Sequence, residues 1–85
     1  MNKMDIIVVK FHPFKLLQDV MVFKKGACID KIQIEIDRIP NVVKGLSSKY
    51  DIKKVQLSGS EEYLKQYKAE ILTRFSNDEI LVDIV

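Results

Sequence analysis

Tryptophan is absent, cysteine and histidine occur once each, proline twice and glycine three times in 85 residues. A single cysteine excludes an internal disulfide, and with a single histidine it excludes a Cys/His zinc site. The one Cys–His pair left for nucleophilic chemistry is Cys28 with His12. Only two of the 14 basic residues are arginine, the side chain whose fork best fits phosphate and guanine. Charge of one sign is lacking too. Twelve acidic residues leave a net charge of +2, too balanced to announce a nucleic-acid or membrane-surface protein. The longest apolar runs, Ile6 to Val9 and Val20 to Phe23, are four residues, far below the ~20 that a helix needs to span a bilayer. Met1 to Asp5 lacks the basic start and long apolar stretch of a signal peptide. A lone cysteine then fits a reducing interior, so the expected location is cytoplasmic.

What is present is an ordinary globular mixture, 47% apolar and 31% charged. The length suits one domain, residues 1–85, without repeat or linker. Isoleucine and valine supply 20 residues, a β-branched bias toward strands. Residues 5–11 read as a strand apolar on both faces, hence central. His12-Pro13-Phe14 interrupts it, because proline lacks the ladder donor. Residues 15–19 read as a short connection and residues 20–24 as a second two-faced strand. Gly26 supplies the next turn through its access to positive φ. Residues 28–36 form a third strand, with Ile32, Ile34 and Ile36 on one face and Gln33 and Glu35 on the other. Cys28 is expected to be a small core hydrophobe at its start.

The period then changes. Ile39, Val42, Val43, Leu46 and Tyr50 make one helical stripe, with Pro40 in the first turn where its missing donor costs nothing. Gly45 inside that helix suggests close backbone packing or a short helix. Residues 53–58 alternate as a fourth strand. Ser60 is expected to cap a second helix, with Glu61 and Glu62 complementing its positive end. Its stripe is Leu64, Tyr67, Ile71, Leu72 and Phe75, and Ser76-Asn77-Asp78 ends it. Residues 79–85 form the last strand, with Ile80, Val82 and Ile84 in phase.

The order is therefore βββαβαβ, an α/β arrangement. Short connections make the first three strands an antiparallel meander, and the two helical crossovers are right-handed between parallel strands. If the fourth strand lies beside the first, the sheet order is 3-2-1-4-5 with both helices on one face. This order and chain path resemble the ribonuclease H-like topology, shared by the half-domain of actin-like ATPases. The resemblance is one of topology, without a sequence motif of either family. Such nucleases hold two magnesium ions with carboxylates in the first strand and near the end of the fourth. Here the first strand carries Ile6, Ile7, Val8 and Val9, and the fourth ends at Ser58-Gly59-Ser60. The acidic set for two-metal chemistry is not assembled, and the Gly-rich phosphate hairpin of the ATPases is missing.

Weaker constellations remain. Ser58, Gly59 and Ser60 precede a helix whose free N–H groups favour an anion, and the end of the first strand brings His12 to the same edge. An ordinary serine-capped turn, with His12 a turn residue, is the preferred reading. Asp5, Asp30, Glu35 and Asp37 fall at strand ends and wet faces and read as solvated charge rather than a magnesium site; no metal or other cofactor is called for. Lys24, Lys25, Lys49, Lys53, Lys54, Lys65 and Lys68 are interleaved with acidic residues and read as solvated surface.

Counting faces gives the sharpest expectation. With both helices on one side, alternate members of Ile6 to Val9 and of Val20 to Phe23 point to the uncovered side. Taking Ile7, Val9, Val20 and Val22 as that set, with Leu81 and Val85 from the last strand, gives a contiguous apolar face of the kind that marks an interface. The expectation is a non-enzymatic interaction module, self-associating in a two-fold dimer or binding a protein partner. A nucleic-acid accessory protein using a lysine-rich edge is the alternative, and an enzyme with an unrecognised site the third. The small size and Ile-, Lys- and Asp-rich composition suit an accessory protein of a bacterium or its phage.

Overall fold

Three strands come first in the chain, β1 (Ile6–Phe11), β2 (Leu17–Lys24) and β3 (Ala27–Glu35). A short 3-10 turn at Ile36–Arg38 leads into helix α1 (Ile39–Tyr50), followed by β4 (Lys54–Gly59), α2 (Glu61–Thr73) and β5 (Leu81–Ile84). The structure is a computed structural model and describes residues 5–75 and 80–85. The expected end of the second helix at Ser76-Asn77-Asp78 lies outside the described residues, as does Glu79.

The sheet order is β3-β2-β1-β4-β5, with β1 central, antiparallel to β2 and parallel to β4. One register shows which face is covered. Ile7 sits opposite Val22 and Val55, and Val55 opposite Val82. These residues are buried together with Ile39, Val43 and Leu46 of α1 and Leu64, Tyr67 and Ile71 of α2. Both helices therefore lie on one face, and their apolar stripes and the alternate strand residues form a single core.

The β2–β3 turn has positive φ at both Lys25 (54°) and Gly26 (81°), the two-residue geometry whose twist matches a hairpin. Lysine has no natural preference for that region, and the Lys25 N–H donates to Asp5 Oδ1 at 3.0 Å. Asp5 is consequently a buried turn partner rather than solvated charge. One extra residue follows in β3. Phe23 pairs with Cys28, but Val22 pairs with Asp30, so Ile29 is bulged out of the ladder. The bulge reverses the parity of everything before it. Cys28, expected in the core, is exposed for this reason. Asp30 instead falls in phase with Ile32 and Ile34 on the helix side, where it accepts the Tyr50 hydroxyl at 3.0 Å.

Other local expectations are corrected in the same way. The expected connection at residues 15–19 is shorter, because β2 already begins at Leu17. Gly45 packs against nothing, and the added Cβ of an alanine would meet open space. Ser60 occupies the N-cap position of α2 but makes no side-chain capping bond. Its backbone N–H donates to the Phe11 carbonyl instead, at 3.2 Å. Gly59, at φ 105°, carries its backbone so close to β1 that a Cβ would stand 2.1 Å from that same carbonyl oxygen.

Candidate interaction surface

The uncovered face of the sheet is built by the residues that alternate with the core. Across its middle, Lys31, Met21, Val8, Gln56 and Asp83 stand in one row, each opposite the next. Beside that row lie Ile6 and Phe23, which are direct partners. Ile6, Val8, Met21 and Phe23 are half-buried, sheltered by their neighbours but covered by no described element. Charged and polar residues rim this centre: Lys31, Gln33 and Glu35 on β3, Lys54 and Gln56 on β4, and Asp83 on β5. Leu81 and Val85 are exposed.

This reverses the sequence assignment within the two central strands. Ile7, Val9, Val20 and Val22 are fully buried under the helices and belong to the core. The cause is the bulge. Counting straight back from the Lys25-Gly26 turn would set Val20 opposite outward-facing Lys31; the extra residue sets it opposite Ile32, on the helix side. The apolar centre survives one residue out of phase, at Ile6, Val8, Met21 and Phe23.

At one end of this face, three polar residues are tied together. The His12 ring Nε2 lies 2.8 Å from Asp19 Oδ2, and the Gln33 side-chain amide donates to Asp19 Oδ1 at 3.0 Å. The Gln33 hydrogen bond first, and the His12 contact second, hold the Asp19 carboxyl below its ordinary range. His12 is therefore engaged on the helix-free side, whereas Ser60 opens α2 on the other side. Phe11 is paired with Gly59, so the two turns are neighbours, yet the structure brings no His12 side chain to the Ser58-Gly59-Ser60 turn. Among the described residues, no three His, Cys, Asp or Glu side chains are placed to share a metal ion.

The β1–β2 loop was legible only as a proline break. In the structure it is a firm support for two apolar side chains. Phe14 is 98% and Leu16 90% exposed. Beneath them, Gln18 is buried and uses its whole amide on the loop. Its Oε1 accepts the His12 N–H, and its Nε2 donates to the carbonyls of His12 (3.2 Å) and Lys15 (2.9 Å). Leaving a buried amide unsatisfied costs about 1–3 kcal/mol, so these bonds fix the loop to the sheet. The sequence signal was apolar Phe14, Leu16 and Leu17 beside a proline, outside any helical or strand period.

Two of the lysines of the alternative reading make contacts within the chain. Lys24 Nζ donates to the carbonyl of Tyr50 at the C-terminus of α1 (3.0 Å), where a cation complements the helix dipole. Lys49 lies over the Tyr50 ring at 5.1 Å. Phe11, Tyr63 and Tyr67 pack on one another at ring separations of 5.5–6.2 Å. Burial first, then Glu70 and Asp37, pushes the Tyr67 phenol up and keeps it neutral. Phe11 and Tyr67 belong to the core, and Tyr63 packs against it. No described helix is long and apolar enough to cross a membrane. No family model, no curated protein and no solved structure matches the chain.

Proposed function

We propose that this chain is a non-enzymatic, cytoplasmic protein-interaction module that binds through its helix-free sheet face. One observation carries the reading: Ile6, Val8, Met21 and Phe23 form a contiguous apolar centre, ringed by charged and polar residues, on the side of the sheet that no described element covers. An apolar core with a polar rim is the anatomy of a protein-binding patch. The uninterrupted apolar run in β1 is explained by it, since only one of its two faces is used by the chain's own helices.

The test is a charge in the centre of the patch. Val8→Lys and Met21→Lys should leave the circular dichroism spectrum and cooperative unfolding intact, because neither side chain is in the helix-side core. Both should abolish a complex that the native chain forms with a protein partner, read by quantitative co-purification. Co-purification unchanged by Val8→Lys would overturn the reading. A steep fall of DNA or RNA affinity with salt, unaffected by Val8→Lys, would transfer the function to the lysine-rich edge.

A further inference from the structure

Two features at one edge of the molecule fit each other, and neither belongs to the sheet face just described. The first is the β1–β2 loop, where Phe14 and Leu16 project into solvent on either side of Lys15. Side chains exposed to this degree touch almost nothing of their own chain. Gln18 nevertheless holds the backbone beneath them in one conformation. An ordered apolar projection loses little conformational freedom on binding, which favours association.

The second feature is an open cavity of about 460 Å³ lined by Glu61, Leu64, Lys65 and Ile84. Leu64 of α2 and Ile84 of β5 supply its apolar lining, and Glu61 and Lys65 its charged lining. Glu61 stands at the first turn of α2, with Glu62 exposed beside it. Cavities of this size, roughly 300–1,000 Å³, accept groups larger than one side chain.

Placement makes the two reciprocal. β1, β4 and β5 run parallel, so the loop after β1, the start of α2 after β4 and Ile84 at the end of β5 share one edge of the sheet. The loop lies toward β2 and the cavity toward β5, on opposite sides of β1. A two-fold axis set between two such edges can pair the loop of each copy with the cavity of the other. That is a closed, self-complementary arrangement. We infer that two copies of this chain associate edge to edge, with Phe14 and Leu16 of each seated over Leu64 and Ile84 of the other, and Lys15 beside Glu61. The occupant is a second copy because the same chain offers both the apolar projection, with Lys15 at its centre, and an apolar recess whose mouth carries Glu61 with Glu62 beside it against the single Lys65. The contact is independent of the sheet-face reading, and it leaves the helix-free sheet face of each copy open.

Light scattering on the full chain, across a concentration series, tests this. The native chain should reach twice its 9.9 kDa mass. Phe14→Ser/Leu16→Ser, a change confined to exposed side chains, should be monomeric with unchanged circular dichroism. Lys15→Glu and Glu61→Lys should each weaken the dimer about tenfold or more, as like charges meet, and the double reversal should restore it. A native chain that stays monomeric at every concentration would overturn the proposal. So would a dimer that survives the loop variant, or a double reversal as weak as the single ones. A dimer abolished by Val8→Lys and untouched by Phe14→Ser/Leu16→Ser would overturn it and assign the contact to the sheet face.

Discussion

Ile7 and Val8 are neighbours of almost the same chemistry, and the fold treats them oppositely. Ile7 stands between Val22 and Val55 in the helix-side core and is fully buried. Val8 stands between Met21 and Gln56 on the uncovered side and is half-buried. Both faces of one central strand thus carry large apolar residues, but the described helices cover only one of them. Apolar residues on both faces mark a strand as central; they do not say that both contacts are made within the chain.

The largest effect should come from trimming one face and then the other. Ile7→Ala removes buried volume from the core and should cost about 2–5 kcal/mol in denaturant unfolding. Ile6→Ala, one residue away on the open face, should cost well under half of that, and equal losses would break the distinction between the faces. Next comes the point where the chain crosses from sheet to helix. Gly59→Ala forces a Cβ onto the Phe11 carbonyl at a positive φ. It should destabilise by roughly 1–3 kcal/mol or more, read as a lower unfolding midpoint. Ser60→Ala beside it should be nearly neutral, because the side chain makes no capping bond.

A gain is expected on the outer side of α1. Gly45 meets open space, so Gly45→Ala should stabilise by about 0.5–1 kcal/mol through helix propensity alone. No gain would show that the outer surface of the helix layer is in contact after all. The smallest effect belongs to the polar end of the open face. The Asp19 carboxyl is held below its ordinary range by Gln33 and then His12. Its contribution is therefore fully present above the unfolded carboxylate value, about 4, and is lost as pH falls through the lowered folded value. The stability gap between native and Asp19→Asn chains should close as pH falls through the acid range. A gap that persisted unchanged to low pH would remove Asp19 from the account.

Much of this protein was determined by sequence period. The alternation of Ile32, Ile34 and Ile36 against Gln33 and Glu35, the helical stripes through Ile39 and Leu64, and the short connections among the first three strands sufficed for the element order; the order 3-2-1-4-5 needed in addition the placement of the fourth strand beside the first, which the two-faced apolar run of the first strand favoured. These patterns record local geometry, two residues per strand repeat and 3.6 per helical turn. Parity in β1 and β2 was decided only by the tertiary structure, because Ile6 to Val9 and Val20 to Phe23 offer no polar residue to distinguish their faces. There a single bulged residue, Ile29, moved Val20 and Val22 into the core and Cys28 out of it. The β1–β2 loop was equally hidden. That Gln18 turns inward to brace it, leaving Phe14 and Leu16 outside, depends on hydrogen bonds between residues three and six apart in a segment with no period to read.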